Sequence, residues 1–151
     1  MTDMHFEDFE PGQRFTSRAI PMTRERIISF AEEFDPQPQH MDEAAAAQTQ
    51  FGELIASGWH TAATTMRLQY EAAFNRIAGA AMGAGVEKLT WVRPVRPGDV
   101  IHALVEVSDK RLSRSRPDRG LITFLTTTLN QNEQPVLTMV GTVIVPRREQ
   151  I

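Results

Sequence analysis

Between Asp35 and His40 the chain reads Asp-Pro-Gln-Pro-Gln-His, which sets a carboxylate and an imidazole five residues apart on a stretch stiffened by two prolines. Proline fixes its own φ and pushes the preceding residue toward extended backbone, so both side chains can converge on one point without lying along a helix. Such a pair suits general acid–base chemistry on water: one group takes a proton while the other orients the molecule or returns a proton. An ordinary reading stands beside this one, with Asp35 capping a turn and His40 on the surface. A second element, Phe51-Gly-Glu-Leu-Ile-Ala-Ser57-Gly58-Trp59, ends where a long helical pattern begins. The first N–H groups of a helix lack intrahelical partners and sit at the positive end of its dipole. Those of Gly58 and Trp59 therefore suit a carbonyl oxygen that gains negative charge during reaction. The plainer alternative makes Ser57 an N-cap and Gly58 a small residue that lets the chain turn tightly into the helix.

The elements that must position these residues follow from periodicity. A Pro11-Gly12 turn precedes an expected strand from Arg14 to Ile20, closed by Pro21. Thr23 is a fitting N-cap for a helix from Arg24 to Phe34, with Ile27, Ile28, Phe30, Ala31 and Phe34 as its apolar stripe. Pro36 and Pro38 are expected to keep the Asp35–His40 stretch free of helix, and Asp42 to cap a brief turn over Glu43 to Gln48. From Gly58 to Gly79 no proline occurs. Ala62, Met66, Tyr70, Ala73, Phe74 and Ile77 recur there at spacings of three and four, which predicts one long helix. Its first half is small-sided, as a helix wrapped by a sheet would be. Beyond Gly85 the period changes to two, giving strands at Val86–Val92, Val100–Val107, Leu121–Leu129 and Val136–Val145, the last three as an antiparallel meander. Both faces of Val136–Val145 are apolar, which calls for a second covered face and hence a homodimer or larger oligomer.

Composition narrows the partners. The 151 residues suit one domain over 1–151, and a net charge of −3 offers no basic field for nucleic acid. With no cysteine there is neither a disulfide frame nor a thiolate nucleophile. No apolar stretch approaches the ~18 residues of a membrane span, and the start from Met1 is acidic where a signal peptide is basic. The expectation is a soluble cytoplasmic protein.

Taken together, Asp35 with Gln37-Pro38 and His40, the Ile55-Ala56-Ser57-Gly58 element opening a long small-residue helix, and the meander resemble the MaoC-like acyl dehydratases, relatives of the (R)-specific enoyl-CoA hydratases. The resemblance covers nearly the whole chain and implies an α+β hotdog fold, an antiparallel sheet wrapped around one central helix. It departs from the family pattern in three places: Gln37 stands for the usual Asn, Ser57 for a frequent His, and Met66 for a serine found in several hydratases. The resemblance implies reversible addition of water to an α,β-unsaturated acyl thioester of coenzyme A or acyl carrier protein. Asp35 and His40 would hold the water, while Gly58, with Ser57 and Trp59 beside it, would receive the thioester oxygen. No metal or redox cofactor is implied, coenzyme A entering only as part of the substrate.

The remaining candidates have ordinary explanations. His60 and His102 read as packing or surface residues. Arg111, Arg114, Arg116 and Arg119 form a basic loop that matches phosphate geometry but is equally a solvated turn. Two rival functions remain: a hotdog thioesterase using a helix carboxylate, and a non-catalytic acyl-CoA-binding module. Glu71, the one acid between Gly58 and Gly79, lies about three turns from the helix start, too far to share a carbonyl with Gly58.

Overall fold

The computed structural model describes residues 3–149, so Met1 and Thr2 of the acidic start, together with Gln150 and Ile151, lie outside it. A 3-10 turn over Phe6–Asp8 leads to two short strands, β1 (Arg14–Thr16) and β2 (Ile20–Pro21), where the sequence pattern suggests one. The break at Ser17 is filled by its hydroxyl, which accepts from the Ala103 N–H at 2.8 Å, while its own N–H donates to Ala103 O at 2.9 Å. Helix α1 (Arg24–Phe34) has the expected limits, and Thr23 Oγ1 accepts from the Arg26 N–H at its start. Pro38 does not exclude helix. It opens the short helix α2 (Pro38–Met41), because a missing N–H costs nothing in a first turn. Asp42 then caps α3 (Glu43–Ala47) by accepting from the Ala45 N–H.

Helix α4 (Gly58–Ala72) ends seven residues before Gly79 and passes into a 3-10 turn, Phe74–Arg76. The stripe expected to face inward is also corrected. Thr61, Thr65, Leu68, Gln69 and Ala72 are buried, whereas Met66 and Tyr70 are more than half exposed. The sheet answers most of this polar inner face: Thr65 and Thr128 hydroxyls share a 2.7 Å hydrogen bond, and Gln69 Nε2 donates to Thr126 Oγ1 at 2.7 Å, while Gln69 Oε1 has no partner among the described residues.

Four longer strands complete the sheet: β3 (Met82–Trp91), β4 (Val100–Leu112), β5 (Arg119–Leu129) and β6 (Pro135–Pro146). Their order is β1-β4-β5-β6-β3, antiparallel throughout, with β2 also pairing β4. Along β4 and β5 alternate residues are buried, Ile101, Ala103, Val105 and Val107 from one and Ile122 and Phe124 from the other. They pack against Leu68 and Ala72 of α4 in one core cluster, the arrangement of a hotdog fold. At the far end of β5, Gly120 is required by packing, since a Cβ there would lie 2.2 Å from the Phe6 ring. Strand β3 is one edge of the sheet, exposed at every position but Leu89, and the short β1 and β2 lie at the other. No helix among the described residues is long and apolar enough to cross a membrane.

Candidate active site

Asp35 is the C-cap of α1 and His40 lies in α2, so the proline-containing link between the two helices brings both side chains to one place. The turn is locked by Gln37 N–H to Asp35 O at 2.8 Å and His40 N–H to Gln37 O at 2.9 Å. His40 is buried rather than at the surface, and its Nδ1 lies 2.7 Å from Ile55 O. A carbonyl oxygen only accepts, so Nδ1 carries the hydrogen, and in the neutral ring Nε2 presents a free lone pair. That Nε2 is 3.4 Å from Asp35 Oδ2. The hydroxyl of Ser57 donates to the same Oδ2 at 2.7 Å, and Gln37 Nε2 donates to Oδ1 at 2.7 Å. The Ser57 bond foremost, with Gln37 and His40 adding to it, outweighs partial burial and holds the Asp35 carboxyl below the usual aspartate range.

Ser57 is wholly buried and joins two parts of the site, since its Oγ also accepts from the Trp59 N–H at 3.3 Å as the N-cap of α4. Its hydroxyl is thus committed to Asp35 and the helix start, and Ser57 is absent from the cavity wall among the described residues. The Trp59 N–H is likewise engaged. The Gly58 N–H makes no hydrogen bond among the described residues and is the donor left open at the helix start. Loss of the Ser57 hydroxyl has a readable consequence. In Ser57→Ala the Asp35 carboxyl, followed by carbon-detected NMR, should titrate at higher pH than in the parent, and the lost cap should cost ~0.5–2 kcal/mol. The sign follows from linkage. A depressed carboxyl stabilises the fold above its unfolded value and loses that contribution as pH falls through the folded one, so the variant loses it at higher pH. An unmoved Asp35 titration would remove Ser57 from this role.

Asp35, His40, Gly58 and Trp59 line one cavity of about 430 Å3, within the range of small-molecule sites. Residues the sequence reading passed over complete it. Trp91, at the end of β3, stands edge-on to Trp59 with centroids 5.1 Å apart and donates from Nε1 to Gly58 O at 2.7 Å. A Cβ on Gly58 would lie 2.6 Å from the Trp91 indole, so glycine is needed here for the close approach of the indole. Arg93 follows on the same rim. The one sequence signal for them was the run Trp91-Val92-Arg93-Pro94, a tryptophan and an arginine at the end of an alternating stretch, and it was not read as such.

The other candidates lie elsewhere. His60 stacks on Phe30 at 4.7 Å, and burial first, then Arg26, lowers its pKa. His102 lies 3.6 Å from Glu133. Arg111, Arg114, Arg116 and Arg119 border a separate hollow at the β4–β5 hairpin, next to Gly120, whereas Trp91 pairs through Leu137 with Thr128 at the other end of the sheet. Eight strand positions, roughly 27 Å, separate those ends. Glu71 is bound by Arg18 and Arg67, which hold its pKa at about 2. Asp35 is the one carboxylate lining the cavity among the described residues.

Comparison with known proteins gives the family of the chain. A family model described as "MaoC like domain" matches residues 8–128. A 3-hydroxybutyryl-CoA dehydratase of Methylorubrum extorquens is 30% identical over 97% of this chain and 87% of its own. An uncharacterized Bacillus subtilis protein, YdeM, is 35% identical over 95% of this chain and 100% of its own. The crystal structure of a MaoC-like dehydratase from Rhodospirillum rubrum superposes with a TM-score of 0.91 at 44% identity, covering 97% of this chain and 99% of that one. Matched over most of its length by the family model and by relatives at these identities, the chain belongs to the MaoC-like dehydratase family.

Proposed function

We propose that the protein adds water reversibly across the α,β double bond of an acyl thioester, with Asp35 and His40 as its acid–base pair. The observation that carries this reading is the separation of 3.4 Å between His40 Nε2 and Asp35 Oδ2 inside the cavity, with the imidazole hydrogen committed to Ile55 O. Two acceptors with no hydrogen between them are matched by a molecule with two O–H groups, and water is one. Asp35, kept ionised by Ser57 and Gln37, orients that water. His40 Nε2 takes its proton as the oxygen bonds to C3. The electron pair of the double bond moves toward C2 and the thioester carbonyl, whose oxygen is stabilised by the Gly58 N–H and the dipole of α4. The proton then passes to C2, so that one water is added and nothing else is consumed. The dehydration direction retraces the same path.

The similarity to a 3-hydroxybutyryl-CoA dehydratase supports coenzyme A thioesters as the first substrates to test. With crotonyl-CoA, enoyl absorbance should fall without release of free thiol. Thiol release would identify a thioesterase, and binding without either change would identify a non-catalytic module. The exposed edge β3, with Met82, Val86 and Trp91 uncovered, supports self-association, as open edges of this kind seek a partner. Sedimentation at micromolar concentration should give a dimer or larger species; a well-folded monomer would contradict it.

A further inference from the structure

We infer that Arg93 binds the phosphate at the 4′ end of a pantetheine arm, and so selects thioesters on phosphorylated carriers. This rests on the thioester reading above and adds a recognition residue to it. Among the described residues, Arg93 is the only Lys or Arg lining the cavity that holds Asp35 and His40. Eight other arginines are paired with carboxylates, whereas Arg93, like Arg26, Arg76, Arg111, Arg114 and Arg116 away from the cavity, has no carboxylate ion pair among the described residues. Its main chain is firmly held. The N–H groups of Val92 and Arg93 both reach Val136 O, at 2.9 and 3.4 Å, and Pro94 confines Arg93 to extended backbone. Arg93 is exposed to solvent and lines the same cavity as the Asp35–His40 pair.

Charge balance gives the reason for a cation there. The chain carries a net charge of −3, and Asp35 is kept ionised inside the cavity, so an anionic carrier approaching the mouth meets repulsion. An unpaired guanidinium at the rim reverses that locally, and its forked donors match phosphate oxygens. Trp59, Trp91 and Val92 line the cavity together with Arg93 and the Asp35–His40 pair, an apolar wall of the kind that suits an uncharged pantetheine arm. Coenzyme A and the prosthetic arm of carrier proteins share this phosphate, and a graded series of small carriers isolates its contribution.

Trp59 and Trp91 are the only two tryptophans and both line the cavity, so intrinsic fluorescence reports occupancy directly. Pantetheine, 4′-phosphopantetheine and coenzyme A would each be titrated into the parent, Arg93→Gln, Arg93→Lys and, as a control from the distant hairpin, Arg114→Gln. Both phosphorylated carriers should bind the parent and Arg114→Gln about tenfold more tightly than pantetheine. Arg93→Gln should abolish that margin without changing pantetheine binding, and Arg93→Lys should retain most of it. A margin that survives in Arg93→Gln, or is absent from the parent, overturns the proposal. Hydration of crotonyl thioesters on the same three carriers is read in parallel. If no thioester is hydrated while the phosphate margin depends on Arg93, the hydration reading fails and Arg93 keeps its role. If all three are hydrated with equal kcat/KM by parent and Arg93→Gln, the role of Arg93 fails and hydration stands.

Discussion

Asp35→Asn or His40→Gln should each lower the hydration rate by ~10²–10⁴ while leaving the fold and substrate KM close to those of the parent. Each removes one side of a single water site: Asp35→Asn replaces an acceptor oxygen or its charge, and His40→Gln deletes the Nε2 lone pair. The glutamine amide N–H in His40→Gln can take over the bond to the Ile55 carbonyl, so the expected loss lies in kcat rather than in folding. Because both residues serve the same water, the double variant should be scarcely slower than the worse single one, the pattern of groups that act as a unit. Steady-state kinetics with crotonyl-CoA on the three proteins decides this. Rates within threefold of the parent, or fully multiplicative losses, would mean that the pair does not share one proton path.

Gly58→Val is the second change with a large expected effect, a ~10²–10³ fall in rate with only a modest fall in melting temperature. A Cβ on residue 58 would meet Trp91 Cε2 and Nε1 at 2.6 Å, and the indole is the partner free to move, being 45% exposed at the rim. Its displacement breaks the Nε1 to Gly58 O bond and opens the wall beside the free N–H. The cause can be separated from the backbone donor itself. Gly58→Ala retains the N–H, so pairing it with Trp91→Leu removes the clash and should restore the rate to that of Trp91→Leu alone. A folded and fully active Gly58→Val protein would show that the thioester oxygen is held elsewhere.

What could be read from the chain and what could not separates by the range of the interactions involved. The limits of α1 were legible because Thr23 and Pro36 punctuate it locally. Asp35 and His40 stood out because two prolines isolate them. The inward face of α4 was misread because apolar periodicity assumes an oily core, whereas Thr65 and the Gln69 amide N–H find hydroxyl partners in Thr128 and Thr126 some sixty residues away. The start of β3 at Met82-Gly-Ala-Gly was invisible for a related reason. Glycine and alanine carry little strand preference of their own, and that segment is extended because Ile144 and Val143 pair with it. Trp91 escaped notice because its partner, Gly58, lies 33 positions earlier.

The two hydrogen bonds between α4 and β5 also act as a ruler. From Thr65 to Gln69 a helix advances about 6 Å, and from Thr128 back to Thr126 a strand spans about 6.8 Å, so the two pairs match in pitch. A helix seated only on apolar side chains can roll or slip by fractions of a turn with little penalty, but a rod fastened at two points by directional bonds cannot. The Gly58 N–H is thereby aimed by contacts made two to three turns further along the same rod. Evolutionary drift in this chain is accordingly expected to be lenient at Met66 and Tyr70 and coupled at the fastenings, where Thr65 and Thr128, or Gln69 and Thr126, can change only together.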